Sequence, residues 1–314
     1  MITALLLLLF ALSHSSPCGA WNANLAALNV IKRDEFVKRA IISATTATAA
    51  PAIAADSGSV DRVCGNNILP EQTIPGAYYV ECFDQTTRNV DLDDGQTIVI
   101  GQGSTSAGLG GRTGVGLWNS SILLTRLLTS LCAGGKPLIP TKLNSDINVI
   151  ELGCGVGLPS LALSKYVNAV VATDGNAEVL QLTKQNVQNN KASNVDVDSL
   201  KWGEMVDDSY DGRFDLAIGS DLTYNSASWP LLADTLKNVL SSNGRFLYLI
   251  TGHAGFNLES ELNGFLTFLE GGGGLRVNGG LGRSLTERMQ ELVGVEERAA
   301  LRDGGVKVVV IDKV

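Results

Sequence analysis

The segment Val149–Ser160 (V-I-E-L-G-C-G-V-G-L-P-S) constrains this chain more than any other. It reads as a short buried strand ending in an acidic residue, Glu151. A turn dense in glycine follows (Gly153, Gly155, Gly157), then a helix opening with Pro159 at a position that tolerates proline. Glycine suits such a turn because it permits positive φ and lets a ligand approach bare backbone. About seventeen residues beyond Gly157, Ala169–Asp174 (A-V-V-A-T-D) reads as a second buried strand ending in a carboxylate. A carboxylate there is the usual acceptor for ribose hydroxyls in a nucleotide-binding βαβ unit. Together these features point to a nucleoside-containing cofactor.

The spacing narrows the choice. A dinucleotide site calls for G-x-G-x-x-G, and Leu158 stands where its third glycine would fall. The chain instead has E-x-G-x-G-x-G, which resembles motif I of the seven-β-strand S-adenosylmethionine (SAM)-dependent methyltransferases. Taken alone, such a turn also fits an NAD site or a purely structural turn.

The 314 residues suffice for one large domain or two small ones. With 45% hydrophobic and 18% charged residues, the composition is that of an ordinary globular protein. The net charge of -8 argues against a broadly basic nucleic-acid-binding face and would suit a positively charged substrate. Five cysteines (Cys18, Cys64, Cys82, Cys132, Cys154) are scattered with no C-x-x-C, so neither a zinc site nor a dense disulfide framework is expected. No metal site is expected. Of the two histidines, His14 and His253, only His253 could serve a Ser-His hydrolase, and a structural or solvent-facing loop position suits it better.

The amino-terminal segments read as addressing rather than fold. Met1–Ala20 holds an apolar run too short to span a membrane, followed by small residues, as in a cleavable secretory-type signal. Trp21 then opens a segment rich in Ala, Thr and Ser with basic Lys32, Arg33, Lys38 and Arg39. That order resembles the two-part presequences of algae with secondary plastids. Lys32–Lys38 followed by Ala40–Ala55 also looks like a degenerate twin-arginine signal ending in Ala52-Ile53-Ala54; an alanine-rich amphipathic transit segment is the alternative. The expected address is the plastid, with its thylakoid lumen or the secretory pathway as alternatives.

Beyond these segments, Tyr78–Phe83 and Thr97–Ile100 read as hairpin arms around a D-L-D-D-G turn. Gly101–Gly116 is glycine-rich; a phosphate cradle would need a Lys-Ser/Thr that is absent, which leaves a flap or a linker. Leu117–Leu131 places apolar residues at helical spacing, as do Glu178–Asn190 and Leu231–Leu240. Further strands are expected at Val195–Trp202, Phe214–Asp221, Arg245–Thr251 and Val306–Val314, and Gly271–Gly274 reads as a linker. Strands alternating with helices imply a parallel, doubly covered sheet whose ligands gather at the strands' C-terminal ends. Glu151, Asp174 and Asp221 fall there.

The series G-V-G-L-W-N-S-S, V-I-E-L-G-C-G-V-G-L-P-S, V-V-A-T-D-G-N-A-E-V-L, L-K-W-G and F-D-L-A-I-G-S-D-L-T-Y resembles the seven-β-strand protein-lysine methyltransferases over Gly114–Thr251. This resemblance implies an α/β fold: a doubly wound, seven-stranded Rossmann-like methyltransferase sheet with an N-terminal β-hairpin extension. It divides the chain into a signal-like segment (1–20), a transit segment (21–55), an extension with its Gly-rich loop (56–116) and a SAM-dependent methyltransferase domain (117–314). In similar enzymes the turn that is here Gly153-Cys154-Gly155, with Glu151 before it and Gly157 after it, runs beside the methionine part of SAM. Asp174 would take the ribose hydroxyls. Trp202, Trp118 and Ser220 would line the cofactor; for either tryptophan a core role with its N–H satisfied is the alternative.

Asp221-Leu222-Thr223-Tyr224 matches the family's D-x-x-Y signature, associated with the target lysine. Asp221, ending a buried strand, would hold an ammonium with its carboxylate, and Tyr224 would add an aromatic wall. A cap for the following helix is the alternative for Asp221. The resemblance thus implies methylation of a lysine in a protein substrate by a monomer, with SAM as cofactor and no nucleic acid or stable membrane insertion. A small-molecule N- or O-methyltransferase and a non-catalytic SAM-binding protein are the rivals.

Overall fold

The computed structural model of the chain describes residues 86–103, 113–134, 146–204, 208–252, 257–293 and 305–314. All of them belong to one unit, Ala47–Val314. The two addressing segments, Tyr78–Phe83, Cys64, Cys82, His253 and most of the Gly-rich loop lie outside the described residues.

Seven strands form one sheet: β3 (Asn148–Leu152), β4 (Ala169–Asp174), β5 (Val195–Ser199), β6 (Phe214–Ser220), β7 (Leu240–Thr251), β8 (Leu275–Val277) and β9 (Val306–Lys313), in the order β5-β4-β3-β6-β7-β9-β8. The pairs β3–β4, β4–β5, β3–β6 and β6–β7 are parallel. The expectation of a parallel sheet fails at β9, which inserts between β7 and β8 and runs antiparallel to both. The run V-K-V-V-V-I-D-K buries its side chains equally well in either direction, so its apolar pattern marks a strand and leaves the direction open.

Alternation along the strands builds a core on each face. In β7, Leu247 and Leu249 face one side while Phe246, Tyr248 and Ile250 face the other. The first face is covered by Leu123, Leu124, Leu127 and Leu128 of α1 (Asn119–Gly134) and by Leu285 and Met289 of α6 (Gly279–Leu292). The second is covered by α4 (Trp229–Val239) and α5 (Leu258–Gly272). Neither α5 nor α6 was expected from the sequence. Leu258, Leu262, Phe265 and Leu269 recur at helical spacing in α5, whose start Asn257 caps by accepting the Ser260 N–H at 2.9 Å. The glycine run read as a linker is in part this helix: Gly271 and Gly272 close it, and Gly273 turns away at φ 65°.

The hairpin differs from expectation in one arm. Thr97–Gly101 (β2) pairs antiparallel with Thr87–Asp91 (β1), and the D-L-D-D-G turn joins them. Tyr78–Phe83 shows bulk and alternation, but T-R-N-V-D lies next to the turn and so closes the shorter loop. Val90, Leu92, Ile98 and Ile100 pack with Val156, Leu158 and Leu161, which ties the hairpin to the glycine turn and α2 (Leu158–Leu163).

Among the described residues, no helix is long and apolar enough to cross a membrane. Nor do three or more His, Cys, Asp or Glu side chains among them come together as a metal site.

Candidate active site

The strand order reverses at β3: β4 and β5 lie on one side of it, β6 and β7 on the other. Crevices at such a switch point, beyond the strands' C-terminal ends, are where ligands bind in open α/β sheets. Both expected clusters meet there, one on each side.

On the β4 side the glycine turn is held by its backbone. The Cys154 N–H donates to Thr173 O at 2.8 Å, and the Gly157 N–H to Cys154 O at 2.9 Å. Gly153 adopts φ 61°, and a methyl group there would come within 2.7 Å of Leu222 Cδ2 and 3.8 Å of Trp202 Cζ2. Only glycine fits that position without strain. Trp202 therefore stands over the turn, half-buried against the core. The Cys154 side chain points away, buried beneath the turn with Sγ 4.0 Å from Thr183 Oγ1 and its thiol pushed upward in pKa by burial. Only its main chain borders the crevice.

Asp174 ends β4 with Oδ1 accepting the Asn176 N–H at 2.9 Å and Oδ2 the Gly155 N–H at 3.3 Å. Burial raises its pKa, and these amide hydrogen bonds oppose the rise. A carboxylate fixed in this way by main-chain amides at the end of β4 is the kind of acceptor that a ribose diol requires. The residues present thus fit an adenosyl group. Glu151 is placed differently: it is buried beside the turn, with Oε2 accepting both the N–H of Ser160, at 3.0 Å, and its hydroxyl. Burial pushes its pKa up to about 8. It fastens α2 to β3.

Before β3 in the chain, the single turn Thr113–Val115 and the residues after it approach the same place. The Trp118 indole N–H donates to Thr113 O at 2.7 Å, and a methyl group on Gly155 would come within 3.2 Å of Gly114 O. Ser220, at the end of β6, meets Ser120 through their hydroxyls at 3.5 Å.

On the β6 side, Asp221 sits in the left-handed region at φ 50°, a conformation that aspartate tolerates better than most residues. Its carboxylate is already engaged: Oδ1 accepts the Thr251 N–H at 2.7 Å and Oδ2 the Thr251 hydroxyl at 2.8 Å. It is therefore no helix cap. Those fall to Asn225, before a short 3-10 turn, while Ser228 precedes α4 without a side-chain bond. Thr251 thus preorients the carboxylate. Tyr224 stands at the rim, 44% exposed.

Sequence reasoning missed what holds this turn. The Tyr248 hydroxyl, fully buried on β7, accepts the N–H groups of Leu222 and Thr223 at 3.0 and 3.2 Å. The Thr223 hydroxyl lies 2.8 Å from it and donates to Glu261 Oε1 on α5, also at 2.8 Å. Because Glu261 takes the threonine proton, Thr223 Oγ1 accepts from Tyr248, which fixes every hydrogen in the chain. Burial, then the Asp221 charge, raises the Tyr248 pKa well above its usual value and keeps that proton in place.

Against known proteins, a model described as lysine methyltransferase matches residues 99–260, just over half of the chain. The chain belongs to the lysine methyltransferase family. It is 32% identical over 167 residues to the protein N-terminal and lysine N-methyltransferase EFM7 of Candida glabrata, covering 50% of this chain and 62% of that protein. To the protein N-lysine methyltransferase METTL21A of Danio rerio it is 30% identical over 130 residues, covering 40% and 56%. The chain thus spans less than two thirds of the length of these relatives. Among solved structures it is similar to a SAM dependent methyltransferase from Aquifex aeolicus, with TM-score 0.43, 16% identity and coverage of 62% of this chain and 93% of that one. The family match begins inside β2 and takes in every candidate site residue.

Proposed function

We propose that this lysine methyltransferase family member uses SAM to methylate a lysine side chain of a protein substrate. One observation carries the reading: a left-handed Asp221 with a preoriented carboxylate follows β6, next to β3 and its glycine turn, at the same switch point as the ribose-type acceptor. When bound, SAM supplies a methyl group made electrophilic by its sulfonium. The chain's residues bind and orient. Asp174 would accept the ribose hydroxyls, the backbone of Gly153–Gly155 would border the methionine part, and Trp202 and Trp118 would wall the cofactor. Asp221 would accept an N–H of the incoming lysine, and exposed Tyr224 would meet the side chain at the rim. Lysine attacks only as the free amine, and a water-poor pocket favours that form. Positioning of this kind supplies much of the catalytic effect without a dedicated base.

The full chain, incubated with methyl-labelled SAM and an extract of its source cell, tests the reading. A labelled protein band that disappears with Asp221→Ala supports it. Label confined to small molecules would replace the protein substrate, and SAM binding without any transfer would overturn the enzymatic reading.

We also propose a plastid address, read from the signal-like and transit-like composition of residues 1–55, and action as a monomer. Fusing residues 1–55 to a fluorescent protein checks the first, since secretion or cytosolic retention would refute it. Light scattering of the purified chain checks the second.

A further inference from the structure

Two asparagines on α3 (Ala177–Asn189) and its C-cap make an unusual joint with the hairpin. Asn186 accepts the Gly101 N–H at 2.8 Å and donates to Gly101 O at 2.9 Å. Asn190 accepts the Val99 N–H at 3.0 Å and donates to Val99 O at 2.8 Å. A carboxamide carries the same donor and acceptor as a peptide group, so each asparagine pairs as a strand residue would.

The geometry matches for simple reasons. In an antiparallel pair, alternate residues turn both backbone groups outward. Here Gln102 bonds to Thr86 and Leu92 to Gln96 across the ladder, so the even positions of β2 face β1 and Val99 and Gly101 face out. Two residues of strand span about 6.6 Å, and four residues of helix rise about 6 Å. Asn186 and Asn190 therefore stand in for a third strand. A methyl group on Gly101 would come within 3.0 Å of Asn186 Oδ1, which suits the bare backbone there.

From that edge an unbroken series of contacts reaches the site. Asn186 also donates to Val156 O, inside the glycine turn, at 2.9 Å, so one carboxamide holds β2 and the turn together. Next along β2, buried Gln102 accepts the Leu117 N–H through Oε1 at 3.0 Å, and the Gly103 N–H donates to Val115 O at 2.8 Å. These two bonds fix residues 115–117, and Trp118 fixes Thr113. Gly114 is thereby set against Gly155, and a methyl group on it would come within 3.5 Å of Asp174 Oδ2 and 3.0 Å of Val179 Cγ2.

We propose that Asn186, assisted by Asn190, is a positioning residue for cofactor binding, fastening the hairpin so that residues 113–118 form a wall of the SAM site. The hairpin is then a working part of the methyltransferase unit rather than an appendage to it. The proposal rests on the SAM-binding reading above.

The test measures SAM affinity by calorimetry, and SAM KM and kcat, for the full chain and for Asn186→Ala and Asn190→Ala. Asn186→Ala is expected to raise Kd and KM for SAM by about tenfold or more, with kcat at saturating SAM largely kept. Asn190→Ala, which leaves Val156 tied, should raise them less. A merely structural role would lower the fraction of binding-competent protein, seen as reduced stoichiometry, while Kd stayed at the parent value; that result overturns the proposal. If Asn186→Ala does not fold, the half-buried Asn190→Ala decides alone, and an unchanged SAM Kd there refutes the proposal. Failure of the parent chain to bind SAM would instead refute the reading beneath it.

Discussion

The two sides of the switch point are built by different means. On the β4 side, main chain does most of the holding: Gly153 and Gly155 in left-handed conformations, amides turned onto Asp174, and Cys154 contributing nothing but its peptide groups. On the β6 side, the Asp221–Tyr224 turn hangs from side chains of distant segments: Thr251 on Asp221, Tyr248 on two amides, and Glu261 of α5 behind Thr223. A site that must hold one invariant cofactor gains from geometry the backbone itself enforces. A site that meets a partner-specific lysine, as proposed for this one, can be tuned by single side chains.

This division gives the two carboxylates opposite expected phenotypes, and this is the largest effect expected. Asp174→Ala should weaken SAM binding by about a hundredfold, as the loss of charge-assisted acceptors to a diol implies. Asp221→Ala should leave SAM affinity within about twofold and lower turnover at least about a hundredfold through misplaced lysine. Calorimetry beside single-turnover methylation separates them. Loss of SAM affinity in both variants would merge the two sides into one.

The next effect probes the side-chain scaffold. Thr223→Val keeps the shape of the residue while depriving the buried Tyr248 O–H of its acceptor, at a cost of about 1–3 kcal/mol in stability. Turnover should fall about tenfold at unchanged SAM affinity, because the displaced group is the turn that carries Asp221. Thr223→Ser should restore it. Equal turnover in Thr223→Val and the parent would show that the turn holds its shape without the network.

Glu151 gives a smaller, pH-dependent signal on the β4 side. Burial pushes its carboxyl up to about 8 in the folded chain, above the ordinary value of 4.5. A raised pKa means the folded chain holds the proton more tightly than the unfolded chain, so its stabilising contribution is complete below about 4.5 and fades as pH rises toward 8. The melting temperature of the parent should therefore fall across that window relative to Glu151→Gln, with the two closest at low pH. Parallel melting curves from pH 5 to 9 would show that burial does not perturb this group.

The same division explains what could be read from the chain beforehand. The glycine turn, Asp174 and the strands around them are local: each signal lies within a few residues of the structure it makes. Asp221 and Tyr224 were placed through a motif, but the partners of Asp221 were not. Thr251 is thirty positions away along the chain and Tyr248 twenty-five from Thr223, and nothing in either strand's alternation distinguishes a tyrosine that anchors a turn from one that fills a core. The asparagines of α3 were likewise unremarkable as sequence, since their partners are backbone groups of a hairpin more than eighty residues earlier. Helices α5 and α6 went unread for another reason: a glycine run and weak apolar spacing concealed periods that the packed core makes plain.

The smallest predicted effect is the sharpest test of the backbone side. Cys154 stands between two left-handed glycines, yet its side chain is buried among core residues and its thiol is 3.6 Å from the neighbouring carbonyl of Gly155. Cys154→Ala removes one small buried group, for which about 1 kcal/mol of stability is a fair expectation, and should leave SAM affinity unchanged within about twofold. Gly155→Ala makes the complementary change. It adds one methyl group at φ 52°, 3.2 Å from Gly114 O, where backbone must give way on both sides. Gly155→Ala should therefore weaken SAM binding by far more than Cys154→Ala, although each change alters a single heavy atom. Were Cys154→Ala the more damaging for SAM, the cofactor would be held by that side chain, and the contrast between a backbone-built and a side-chain-built half would fall.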